Sequence, residues 1–189
     1  DTSFGAGTGI VITVISAGSD QACGIKLQAD GKILVCGSSS STTADIALAR
    51  YNSDGTLDAS FGGGDGIVTT DLGGSIDVGQ AIALQADGKI VVAGGKGTSS
   101  YAIAVARYNT DGTLDASFGT GGHVITDVGP GAELARAVSL QADGIDMIQF
   151  DEPAFNVFTD EVLEWGIPAL LRAAKGLECT TAVHVCYGY

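Results

Sequence analysis

This chain of 189 residues is poor in proline, with 3, and in aromatics, at 6%, whereas glycine is abundant at 29. That balance argues against a helical bundle and suits many short strands joined by tight turns. No strict Gly-X-Y period is present, which excludes a collagen helix. Lys and Arg are scarce: 9 against 22 Asp and Glu leave a net charge of -13, with no basic cluster. Phosphate-backbone binding, and with it a nucleic-acid partner, is therefore excluded. No apolar run approaches the roughly 18 residues of a membrane span, and no basic segment with an apolar core opens the chain. A hydrophobic content of 45% still provides for a sizeable core and excludes disorder. The acidic surface favours solubility and can hold divalent cations weakly, but alone it names no partner.

Cysteines number four, at 23, 36, 179 and 186, in two unlike pairs. Cys23 and Cys36 flank a "QADG" turn. A hairpin that pairs Leu27 with Lys32 sets them opposite each other, whereas one that pairs Gln28 with Lys32 points them to opposite faces. A disulfide and two buried thiols are both compatible with the spacing. The second copy of the segment has Gln80 and Ala93 at these places, so the repeat itself requires no cysteine there.

What the chain does have is self-similarity. "DTSFG" at Asp1 and "DASFG" at Asp58 and Asp115 are spaced by 57 residues. "LQADG" recurs at Leu27, Leu84 and Leu140, and "ARYNSDGTLD" from Ala49 returns as "ARYNTDGTLD" from Ala106. Within a unit, "GIVTTDLG", "QAIALQ", "KIVVAGG" and "AIAVARYN" are runs of strand length, rich in Val and Ile or alternating, and separated by turn signals. One unit is predicted to be a four-stranded antiparallel meander. In "QADG" and "NSDGT" the Asp can bond the backbone ahead of it, and the Gly can take the positive φ a tight turn demands.

Tandem four-stranded units of this length are expected of propeller blades. The pattern resembles the delta-60 repeat family, a β-propeller repeat of large bacterial proteins, many of them secreted or surface-associated. The resemblance covers residues 1–144 and rests on "ARYNxDGTLDxSFGxGG" and "LQADGK". It implies about two and a half blades of an incomplete propeller-like array and brings no catalytic residues. Closure takes about four to eight blades, so an open arc is expected.

Asn52, Asp54 and Asp58, with Asn109, Asp111 and Asp115, have two readings. They offer oxygens beside a glycine, as a calcium loop does, but lack the full EF-hand run and its final Glu, so plain Asx turns are expected. "FGGGDG" at Phe61 is expected to be a loop rather than a phosphate cradle, because no helix or Lys-Ser/Thr pair follows it.

After Gly144 the grammar changes. "IDMIQF" (145–150) reads as a buried strand ending at Asp151, Glu152 and Pro153. "NVFTDEVLEWGIPALLRAAKGL" has apolar residues at helical spacing, bent at Gly166 and Pro168, and "CTTAVHVCYGY" supplies a second strand. This is a βαβ unit with parallel strands, which puts Asp151, Glu152, His184 and Cys186 on one edge. His-x-Cys on a strand turns both side chains to one side, where zinc can accept both.

"IDMIQFDEPAF" with "CTTAVHVCYGY" resembles the C-terminal barrel of cobalamin-independent methionine synthase over all of 145–189. The resemblance implies zinc and no cobalamin, with homocysteine and a methylated folate as substrates. It also implies His184 and Cys186 as zinc ligands and Asp151 as the group that binds the homocysteine amine. In that family zinc activates the homocysteine thiol as a thiolate. The family's site takes a further glutamate and cysteine from later strands, and Cys179 stands at the wrong end of its strand to replace them.

The expectation is thus a mainly β chain with a C-terminal α/β piece: repeats over 1–144, then one βαβ unit of a TIM-type barrel over 145–189. The location of the break, in mid-turn after Gly144, favours two joined fragments, with a partial zinc-dependent methyltransferase segment inactive alone. The alternative is a structural or binding β-propeller protein with an incidental tail. An active methyltransferase with an appended binding module would require stoichiometric zinc. The repeats suggest a secreted or cell-surface location and the tail a cytoplasmic one.

Overall fold

The computed structural model describes residues 1–98, 101–127, 129, 134–141, 144–151 and 182–184. Among these, regular structure is strand apart from one 3-10 turn at Gly5–Gly7. Eight strands form one open mixed sheet: β1 (Ser19–Leu27), β2 (Ile33–Ser40), β3 (Ala44–Tyr51), β4 (Ile67–Thr70), β5 (Ile76–Leu84), β6 (Ile90–Gly97), β7 (Tyr101–Tyr108) and β8 (His123–Thr126). Its pairings are those of two antiparallel meanders, β1 to β4 and β5 to β8, joined by one parallel pair, Ala44 with Ile76.

The expected meander is present, with its phase corrected by one strand. "IVTT" pairs with β3 of the unit before it and not with the strand after it. The reason lies in the loop from Asp58 to Gly66: Asp58 N–H donates to the Arg50 carbonyl and Arg50 N–H to the Gly66 carbonyl, both at 2.9 Å. These bonds fold the chain back onto β3 before it leaves for the next unit.

The "QADG" turns are set by Gln28 N–H donating to the Lys32 carbonyl at 2.8 Å and by Gly31 at φ 83°. The pairing is therefore Gln28 with Lys32, and a bulge at Cys23, between the pairs Ala22–Gly37 and Gly24–Cys36, follows it. Both thiols are free, with Cys36 buried and Cys23 half-buried. Burial, then the neighbouring Cys23, pushes the Cys36 thiol up to about 12, so it stays protonated and inert.

Successive meanders stack: β5 lies against β1 and β2, and β9 (Leu134–Gln141) against β5 and β6. The first interface joins Leu34, Cys36, Ile46 and Leu48 to Ile82, Ile90, Val92 and Tyr108. The second joins Ala93 and Ile103 to Ala135 and Val138. Positions 93 and 103 lie 57 residues after Cys36 and Ile46, so each unit offers the same positions to the next. Alternation along β6 explains this: Ile90 and Val92 serve one interface and Ala93 the other, which buries both faces of the strand.

The third copy does not stop at its turn. β10 (Gly144–Asp151) returns antiparallel on β9. Its register is one residue shorter, with Leu140 opposite Ile145 where the earlier copies pair Leu27 with Ile33 and Leu84 with Ile90. The third copy has Ile145 in place of the turn Lys and Asp146 in place of the Ile that follows it. The shorter pairing sets Leu140 opposite Ile145, Val138 opposite Ile148 and Ala135 opposite Phe150. β11 (Ala182–His184) lies parallel to β10. The predicted helix between them lies outside the described residues.

Candidate functional site

The parallel register makes Asp151 the partner of His184 on adjacent strands. Two of the three residues singled out for zinc and homocysteine are thereby neighbours at one sheet edge. Cys186 and Glu152 lie outside the described residues.

The repeat landmarks have a different use. Asp54 Oδ1 accepts the Thr56 N–H at 2.9 Å and its hydroxyl at 2.7 Å, and Asn52 Nδ2 donates to the same hydroxyl at 3.0 Å. Asn109, Asp111 and Thr113 repeat the geometry. These are Asx turns filled by the chain's own donors. Asp58 goes further: its Oδ2 accepts from Arg50 Nε and from Lys32 Nζ, both at 2.7 Å, and its Oδ1 from the Ser60 N–H and hydroxyl. Burial alone would raise this carboxyl, but those donors and the Arg50 charge outweigh it and hold it far below the usual carboxylate range. Arg50 also stacks on Phe61, 4.5 Å from the ring centroid, and donates to the Thr110 carbonyl of the next unit at 2.6 Å. Asp115, Arg107, Lys89 and Ser117 form the second copy. Hence "LQADGK" and "LDxSF" are two halves of one ion-paired corner.

A cluster the sequence reading missed lies where the two meanders join. One carboxylate oxygen from each of Asp45, Asp71 and Asp77 falls within 4.8 Å of the others. Asp45 is the second residue of β3, Asp71 leads the loop out of β4, and Asp77 is the second residue of β5. Asp77 is fully buried and its Oδ2 accepts the Leu72 N–H at 2.7 Å. Oδ1 of Asp77 and Oδ1 of Asp45 are buried without a donor. Desolvation, then the charges of Asp71 and Asp77, raises the Asp45 carboxyl. Asp77 follows Asp20 by 57 residues and Asp71 precedes Asp127 by 56, whereas Asp45 corresponds to Ala102, so the three together have no counterpart in the next unit. No periodic signal marks the trio.

A groove of about 350 Å³ opens beside the first meander, lined by Phe4, Val11, Thr13, Ile25, Val35 and Tyr51, among others. These six precede Phe61, Val68, Thr70, Ile82, Val92 and Tyr108 by 57 residues. In the second unit five of those side chains pack into the core between meanders, and the Tyr108 hydroxyl bonds Thr70 as Tyr51 bonds Thr13. The groove is the uncovered counterpart of a filled interface.

Taken together, stacked four-stranded units with shared corners define a β-propeller-type repeat region. In agreement, residues 28–61 and 85–118 match the family described as Domain of unknown function (DUF5122) beta-propeller. Both segments run from the turn Gln to the Phe of the ion-paired corner. The chain also has a weak, partial similarity to archaeal enzymes. Methionine synthases of Saccharolobus islandicus (strain M.16.27) and Saccharolobus solfataricus are each 36% identical over 61 residues, 30% of this chain and 18% of theirs. That of Sulfurisphaera tokodaii is 44% identical over 45 residues, 24% of this chain and 13% of its own. The chain thus spans less than a fifth of the length of these relatives.

Proposed function

We propose that residues 1–144 are a non-catalytic repeat scaffold of the delta-60 kind. We place its junction with a piece of a methionine-synthase-like barrel at Gly144 and Ile145, and that piece is inactive alone. The observation that carries this reading is the 57-residue step in the stacking. The polar landmarks of each unit serve corners and turns, and its apolar ones serve the next unit. For the tail, the partial similarity to methionine synthases and the neighbouring backbone positions of Asp151 and His184 support a shared strand-end site.

A four-coordinate zinc centre needs four donors. By resemblance the tail offers one imidazole, His184, and one thiolate, Cys186, so the donor set falls short and no step of methyl transfer is assigned. Zinc content and homocysteine-dependent methyl transfer, measured on the purified chain, test the reading. Neither zinc at one per chain nor turnover is expected. Stoichiometric zinc that disappears in Cys186→Ala, or transfer above the zinc-free control, would overturn it.

A further inference from the structure

We propose that Asp45, Asp71 and Asp77 bind a divalent cation of the calcium type, which clamps the two meanders together at the parallel pair between them. This goes beyond the scaffold reading and stands apart from it.

Two observations carry it. Three carboxylates within 4.8 Å of one another repel unless something positive sits among them. Independently, Asp77 is fully buried and its Oδ1 has no donor, and Asp45 Oδ1 is likewise buried and unsatisfied. An unpaired buried carboxylate oxygen is costly, so such an atom calls for a ligand. The repeat supplies its own control. Asp20, one unit earlier, is satisfied by the hydroxyls of Ser39 at 2.7 Å and Ser16 at 3.0 Å and by the Ile15 and Ser16 N–H groups. In the second unit those serines are replaced by Lys96 and Gly73. The hydroxyl donors are gone, while Asp45 and Asp71 bring further acceptors.

Hard carboxylate oxygens drawn from two strands and a loop suit calcium, which accepts 6–8 oxygens in flexible geometry, better than magnesium, which holds to an octahedron and its waters. Lys96 is a competing charge beside the connecting loop. Its Nζ lies 3.6 Å from where a Cβ on Gly73 would stand, but it makes no ion pair with the three carboxylates among the described residues. Each ligand comes from a different element, so one ion would tie β3, the connecting loop and β5 together.

The test uses the full chain stripped with EDTA, with calcium chloride followed by calorimetry and thermal unfolding, and magnesium chloride as the comparison. Binding of one calcium per chain and a raised melting midpoint are expected. Asp45→Asn and Asp71→Asn, the less buried ligands, should each weaken the affinity roughly tenfold or more and abolish the thermal shift. Absence of both heat and shift in the parent chain would overturn the proposal. So would calcium binding undiminished in both variants, which would place the ions elsewhere on the acidic surface. A loss of stability in Lys96→Met with no calcium response in the parent would assign the neutralising role to the lysine and equally overturn it.

Discussion

Asp58 shows how much structure one side chain of the repeat organises. It gathers Lys32 from 26 residues upstream and Arg50 from 8 upstream, and it caps the Ser60 turn. Removing one partner of a buried ion pair leaves the others with uncompensated charge. Asp58→Ala is therefore expected to cost about 3 kcal/mol in urea unfolding, at the low end for such pairs because Lys32 keeps some contact with water. The same group sets a pH dependence. The carboxyls of Asp58 and Asp115 are held below their ordinary range, and Asp20 is lowered to about 2, chiefly by the Ser39 hydroxyl. A depressed folded-state pKa gives stability that is complete above the unfolded value, about 3.9, and is lost as pH falls below it. The urea midpoint should decline from about pH 4 downward, and less steeply in Asp58→Ala. Asp45, whose carboxyl is raised, works in the opposite sense, favouring the folded state as it takes up a proton.

At the scale of the strand, the bulges at Cys23 and Gln80 are the recurring device. Opposite each sits a glycine, Gly37 or Gly94, whose absent side chain leaves room for the neighbouring backbone. A Cβ on Gly94 would stand 1.9 Å from the Val78 carbonyl oxygen. Gly94→Ala must spread β5 from β6 and is expected to cost about 1–3 kcal/mol, read as a lowered denaturation midpoint with faster amide exchange in these two strands.

Much of this level was legible in the sequence. Strand lengths, the "QADG" and "NSDG" turns and the period all follow from local residue choice, because Asx turns and alternating Val and Ile act over a few residues. The phase of the meander was not, since "IVTT" is equally good as a partner for the strand before it or after it. The backbone bonds of the loop from Asp58 to Gly66 decide the matter. The Lys32 to Asp58 pairing and the Asp45, Asp71 and Asp77 trio depend on tertiary proximity that no spacing encodes. In the third unit the shortened register of β10 accompanies Ile145 and Asp146, which break the pattern.

At the scale of the whole molecule, a stack of like units makes the same residue core in one unit and surface in another. Ile82 is 3% exposed because the first meander covers it, and Ile25, its counterpart one step earlier, is 66% exposed at the open groove. Ile10, Ile12 and Val14, which alternate with the groove-lining Val11, Thr13 and Ile15, are exposed too. Hydrophobic burial is roughly proportional to area removed from water, so chemically identical truncations at these two positions should differ by the presence of a neighbour alone. Equilibrium unfolding of Ile82→Ala beside Ile25→Ala is the most direct test of stacking by a 57-residue step. Stacking predicts a loss of about 2–5 kcal/mol at Ile82 and a change within about 0.5 kcal/mol at Ile25. Equal losses at both positions would contradict it.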